Sequence, residues 1–206
     1  NEVSTPHFDK VIGTVTITPK YVTDVEVSLS KDGSHIWRPF APNAEITVDI
    51  DKKGWNWKGH GYFDANFGTR ALEQDFSYWT WSRLPCKDGS IAFYDAERRK
   101  DEPLSVSLKF HSNGVVEEIT HAPKASLPRS LWAVKRETRS DEGFKPRQIK
   151  HMLDTPFYTR SAIKTKINGE EIIGIHEALD LNRFSSPFLK PMLALRVPRT
   201  TRWKSK

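Results

Sequence analysis

Four dipeptides constrain this chain more than any other feature: Asp32-Gly33, Asp88-Gly89, Asn113-Gly114 and Asn168-Gly169. Pairs of this kind favour two-residue type I′ hairpins, in which both central residues take positive φ. Lys53-Gly54 is a weaker signal of the same sort. Between the turns lie segments rich in Val, Ile, Thr and aromatic residues, which predict strands over 13–18, 24–29, 45–50, 55–64, 78–84, 91–95, 104–110, 115–120, 161–167 and 171–176. Almost nothing repeats at helical period. The pattern predicts an all-β protein, an antiparallel barrel or sandwich. One helix-like piece spans 184–194, kept short by Pro187 and Pro191. Residues 135–150, charged and carrying Gly143 and Pro146, predict a long loop.

At 206 residues the length permits one or two domains. Hydrophobic residues make up only 37%, but 7 Trp, 5 Tyr and 11 Phe compensate, because each ring buries a large apolar area. No run reaches the ~18 apolar residues of a membrane-spanning helix, and the first residues show no signal-peptide pattern. The chain begins at Asn1, with a strand-like segment close behind, so it reads as the later part of a longer one. Cys86 is the single cysteine, which excludes an internal disulfide framework and favours a reducing compartment. The net charge of +6 is scattered rather than gathered into a stripe, which argues against nucleic acid. Arg196, Arg199, Arg202, Lys204 and Lys206 form the one basic cluster. It suits anionic lipid head groups, at about 1 kcal/mol for each charge, or is a solvated tail.

General catalytic motifs are missing. Gly59-His60-Gly61 begins like a dinucleotide fingerprint, but Asp64 stands where the third glycine belongs. The P-loop spacing of Gly54 and Gly59 is followed by His60 instead of lysine, there is no G-x-S-x-G, and the histidines have no zinc-site spacing. Acid–base chemistry by side chains, or binding without chemistry, is left. If 59–66 is extended, His60, Tyr62, Asp64 and Asn66 share one face. Trp55, Trp57, Trp79 and Trp81 crowd the same stretch, so that face is expected to line a cavity rather than meet water. His35 and Trp37 form another same-face pair. Each residue also has a plain structural reading: Asp64 as a strand-end carboxylate, the rings as core, His35 as a hairpin cap.

These residues resemble the carotenoid 1,2-hydratase family, the acyclic carotenoid or hydroxyneurosporene hydratases. The likeness runs through His-Ile-Trp-Arg-Pro-Phe at 35–40, Gly-His-Gly-Tyr-Phe-Asp-Ala-Asn-Phe-Gly at 59–68 and Phe-Ser-Tyr-Trp-Thr-Trp-Ser-Arg at 76–83. It continues through 155–161, 176–184 and 192–199, nearly the whole chain. The resemblance implies a lipocalin-like protein of two β-barrels, with residues 1–54 the remnant of the first and 55–206 the second. It implies addition of water to the terminal double bond of an acyclic carotene such as neurosporene or lycopene, without metal or nucleotide. By motif position, Asp64 would be the proton donor, with His35, Trp37 and Tyr62 beside it and Trp79 and Trp81 against the substrate.

The chemistry is consistent with that assignment. An alkene is a very weak base, so the acid must hold its proton, and burial in an apolar site can raise a carboxyl pKa by up to ~3–5 units. Indole and phenol faces stabilise the resulting tertiary cation by roughly 2 kcal/mol when dry. His35 would either hydrogen-bond Asp64 or hold the water that captures the cation. Because acyclic carotenes reside in bilayers, the expected location is the cytoplasmic side of a photosynthetic membrane, held peripherally by the basic C-terminus and the apolar 184–195 segment. A non-catalytic lipocalin-like carrier of apolar ligands is the main alternative, and a basic interaction module the second.

Overall fold

The computed structural model describes residues 2–4, 9–51, 54–189 and 191. Its strands are β1 (Glu2–Ser4), β2 (Asp9–Val11), β3 (Gly13–Pro19), β4 (Val27–Ser28), β5 (His35–Ile50) and β6 (Trp57–Gly68), then β7 (Phe76–Cys86), β8 (Gly89–Arg98), β9 (Leu104–Phe110) and β10 (Val116–Glu118). β11 (Lys124–Leu127), β12 (Arg136–Arg139), β13 (Arg147–Asp154), β14 (Tyr158–Ile167) and β15 (Glu170–Asp180) follow. Two single-turn helices, α1 (Leu72–Asp75) and α2 (Leu181–Phe184), flank them.

The all-β antiparallel architecture expected from the turns is what the structure shows. A seven-stranded sheet runs β10-β9-β8-β7-β15-β14-β13, and its edge strands do not pair with each other to close a barrel. A four-stranded sheet joins β3, β5 and β4, with β6 also on β5. The domain division expected between 54 and 55 falls in the connection between β5 and β6, two strands of that one sheet. β5 is the long element: it pairs with β4 and β6 at its start and with β3 and β6 at its end. Two bulges, between Arg38 and Ala41 and between Ala41 and Ala44, insert extra residues in β5 against a regular β6.

The turns differ in detail. Only Asn168-Gly169 has positive φ at both residues (51° and 82°); at the other three dipeptides only the glycine does. Gly89 is required for space as well, since a Cβ there would stand 1.9 Å from the Phe110 carbonyl oxygen. The strand expected over 24–29 shrinks to Val27–Ser28. The expected helix over 184–194 is replaced by α2, which ends at Phe184 and has Asp180 as its N-cap, accepting from the Arg183 N–H. The rest of that segment and the basic C-terminal cluster lie, apart from 185–189 and 191, outside the described residues.

The two faces of the large sheet differ in chemistry. One face carries Trp81, Ala92, Tyr94, Ala96, Leu108, Phe110 and Leu179, and receives Trp37 from the four-stranded sheet and Leu29 from just after β4. The opposite face is studded with buried Thr80, Ser82, Ser107, Ser161, Thr165 and His176. The β11–β12 hairpin supplies partners to it. Residues 135–150, expected as a loop, therefore include β12 and the start of β13. Charge does not prevent strand formation here because the guanidiniums are paired. Arg139 Nε donates to Asp95 Oδ2 at 3.0 Å, and its other arm grips Asp95 Oδ1 and Ser105. Arg136 donates to the Pro128 carbonyl.

His176, fully buried, shares a hydrogen bond of 3.0 Å with Ser82 Oγ, which in turn meets Thr138 Oγ1. Burial, reinforced by the Arg136 charge, pushes its pKa down to about 3 from an ordinary 6.5. The unfolded chain then takes up a proton below about pH 6.5 that the folded chain refuses until about pH 3. His176 thus costs nothing above that window and destabilises progressively as pH falls through it, by at most about 1.4 kcal/mol per pH unit. Urea unfolding of the wild type against His176→Gln across this range should show the variant losing less stability with acid; parallel pH slopes would contradict the account.

Candidate active site

β6 places Tyr62 and Asp64 on its inner side, and β5 places Trp37 opposite Asn66. The bulged register lets Trp37 reach back to Asp64. Its Nε1 donates to Asp64 Oδ2 at 2.7 Å, and the Tyr62 hydroxyl donates to the same oxygen at 2.9 Å. Asp64 is half-buried, whereas Trp37 is wholly buried. Oδ2 thus accepts two hydrogen bonds, which together fix the plane of the carboxyl group.

Rings from both sheets form the surroundings. Trp37 packs tilted against Tyr94 with centroids 5.6 Å apart, Trp79 packs on Tyr94 at 5.7 Å, and Tyr62 lies on Trp81 at 5.1 Å. Trp79 and Trp81 thus lie in the ring cluster beside Asp64, and their indole N–H groups are buried without a partner among the described residues. Burial raises the Tyr62 phenol well above its ordinary pKa, and the neighbouring Asp64 carboxylate adds to the effect. Tyr94 is raised by burial too, then by Asp64 and by Glu177. Both phenols are therefore neutral.

Arg83 braces this assembly from the large sheet. Its guanidinium sits 5.4 Å from the Tyr62 ring centroid and donates to the Pro42 carbonyl through Nε (3.2 Å) and Nη2 (2.9 Å). Ser90 Oγ joins the same carbonyl at 3.1 Å. Three donors thus fasten the bulged part of β5 to β7 and β8.

The structure gives His35 a partner other than Asp64, which was one of the two roles expected for it. Its Nε2 meets Asp75 Oδ2 at 2.7 Å, and Arg70 Nε donates to that oxygen at 2.6 Å. The cause is register: His35 lies opposite Gly68, four residues beyond Asp64 along β6. The ring also stands edge-on to Phe76. Trp55 and Trp57 do not wall the site either; both are about half exposed, Trp55 ahead of β6 and Trp57 on the outward side of that strand. The rings at Asp64 touch one another directly. An open cleft of about 380 Å³ lies elsewhere, with Ile12, Asp49 and Asn56 on its wall. Tyr94, Arg83 and Asp75 were not legible as site residues in the sequence; Tyr94 had only its place in the 91–95 strand pattern as a signal.

A profile of the family described as "Carotenoid hydratase CrtC" matches residues 1–206. The chain belongs to the carotenoid hydratase family. It is 52% identical to the acyclic carotenoid 1,2-hydratase of Cereibacter sphaeroides over 98% of this chain and 73% of that protein. To the acyclic carotenoid 1,2-hydratase of Rhodobacter capsulatus it is 51% identical over 98% of this chain and 72% of that protein. The enzyme of the same name from Thiocapsa roseopersicina is 38% identical, and there the match covers 49% of the relative's length. Family membership accounts for the shared motifs; the hydrogen bonds at Asp64 come from the fold.

The phenol–carboxylate bond can be measured. Tyr62→Phe should cost about 1–2 kcal/mol of unfolding free energy, and almost nothing when Asp64 is already alanine. Equal costs in the two backgrounds would mean that the hydroxyl finds its partner elsewhere.

Proposed function

We propose that the chain is a hydro-lyase that adds water to the terminal C1=C2 double bond of an acyclic carotenoid of the neurosporene or lycopene type, with Asp64 as proton donor. The observation that carries this reading is the two-donor grip on Asp64 Oδ2 by Trp37 and Tyr62. Those bonds fix the carboxyl plane, and Oδ1 carries the proton toward the substrate. The alkene π pair takes that proton at C2, and a tertiary cation forms at C1. A water oxygen then bonds to C1 and sheds a proton, giving a tertiary alcohol. Tyr62 and Trp79, the less buried of the rings at Asp64, offer the electron-rich walls that such a cation needs. His35, tied to Asp75 and two residues from Trp37, acts as a positioning group for that indole.

Asp64→Asn keeps the shape and the acceptor oxygen but removes the acid. Hydration of lycopene or neurosporene in detergent or vesicles should fall by about 10²–10⁴-fold, followed as gain of one water in the product mass. Near-normal turnover would remove Asp64 from the mechanism, and binding without mass gain in the wild type would favour a carrier.

Peripheral contact with a membrane is part of the same proposal, since the substrate dissolves in bilayers. No helix among the described residues is long and apolar enough to cross one. The outer side of the four-stranded sheet exposes Val15, Ile17, Trp57, Phe63 and Phe67, an aromatic surface suited to the lipid interface. The protein should float with anionic vesicles, and Trp57→Asp with Phe63→Asp should weaken flotation several-fold. Unchanged flotation of that variant would clear this surface of the role.

A further inference from the structure

Hydration needs a second proton transfer, from the incoming water, and a second carboxylate borders the aromatic site. Across the large sheet, Arg160 on β14, Glu177 on β15, Trp81 on β7 and Tyr94 on β8 stand in register in one row and share one face. That face carries the rings against which Trp37 and Tyr62 pack. Glu177 is buried, only 9% exposed. Arg160 Nε donates to its Oε1 at 2.7 Å, and a terminal guanidinium nitrogen contacts the same oxygen. Tyr158 lies beside it, its phenol raised by burial and then by the Glu177 charge. Tyr94, two strands from Glu177 in that row, packs against Trp37, the indole bonded to Asp64. Trp81 on β7 stands between Glu177 and Tyr94 in that row, so its indole borders both the carboxylate and the ring cluster at Asp64.

The two groups differ in company. Asp64 is held by neutral donors, an indole N–H and a phenol, as suits a group that gives up a proton. Glu177 is paired with a guanidinium, as suits a group that stays anionic and accepts one. The buried N–H of Trp81, in register with Glu177, and that of Trp79 are donors without acceptors among the described residues. A water donating to Glu177 and accepting from one of these indoles keeps its second lone pair for the cation.

We propose that Glu177 orients the attacking water and takes its proton, with Arg160 and Tyr158 as positioning residues. The inference rests on the hydration reading above. The steps balance: Asp64 loses a proton to C2, the water oxygen bonds to C1, and the water's proton passes to Glu177. Proton exchange with solvent then restores acid Asp64 and anionic Glu177.

The test is made in D2O, with lycopene in vesicles, by following 1-hydroxy product and deuterium in recovered lycopene. Glu177→Gln should still protonate the alkene but capture the cation poorly. Product should fall about 100-fold or more, while the ratio of deuterated lycopene to product rises at least tenfold. Because glutamine leaves Arg160 unpaired, Glu177→Gln with Arg160→Met supplies a folded counterpart, verified by thermal unfolding, with the same altered ratio expected. Normal product, or product and deuterium falling together in both variants, would overturn the assignment to Glu177. Wild-type protein that makes no hydroxylated product would instead defeat the hydration reading itself.

Discussion

Trp37 carries an N–H group that water does not reach, and such a donor must find an acceptor inside the protein or cost about 1–3 kcal/mol. Asp64 supplies that acceptor. The need arises from packing: the indole fills the junction between the two sheets, in one cluster with Tyr94 and Leu29. One contact thereby satisfies a core residue and aims a carboxyl group. The Tyr62 hydroxyl completes the arrangement from β6, and Arg83 holds that phenol from below. The chemistry proposed for Asp64 is a consequence of how the core is closed.

The large sheet divides its labour between faces. The ring-bearing face meets the four-stranded sheet, and the polar face is sealed by Arg139, Thr138 and Arg136 on β12. Breaking a buried ion pair such as Arg139–Asp95 by losing one partner typically costs about 3–5 kcal/mol. The polar side therefore contributes rigidity through directional bonds, while the aromatic side contributes area and electron-rich surface. Asp64, on the aromatic side, thus meets a stiff floor, which limits its drift relative to the rings.

Much of this was legible in residue order. Asp-Gly and Asn-Gly pairs marked the hairpins, and alternation placed Tyr62 with Asp64 and His35 with Trp37 on shared faces. The family motifs then drew attention to the same side chains. Other features were hidden for identifiable reasons. Twenty-seven positions separate Trp37 from Asp64, and two bulges in β5 decide which β6 residue the indole meets. His35 and Asp75 are 40 apart and meet only because α1 folds back at the end of β6. Residues 135–150 read as a loop because their arginines carry no visible partner until Asp95 and Pro128 are brought to them.

The order of residues alone determined strand periodicity, the turns, the excess of rings and the family. Those properties are local or compositional: side-chain alternation and positive φ belong to a few neighbouring positions. Only the folded chain decided that Trp37 and Tyr62 share one oxygen of Asp64, that His35 belongs to Asp75, and that Glu177 stands in a row with Trp81. Each of these depends on register between distant strands and on the packing of one sheet upon another. A single inserted residue changes such a register, and no local pattern encodes it.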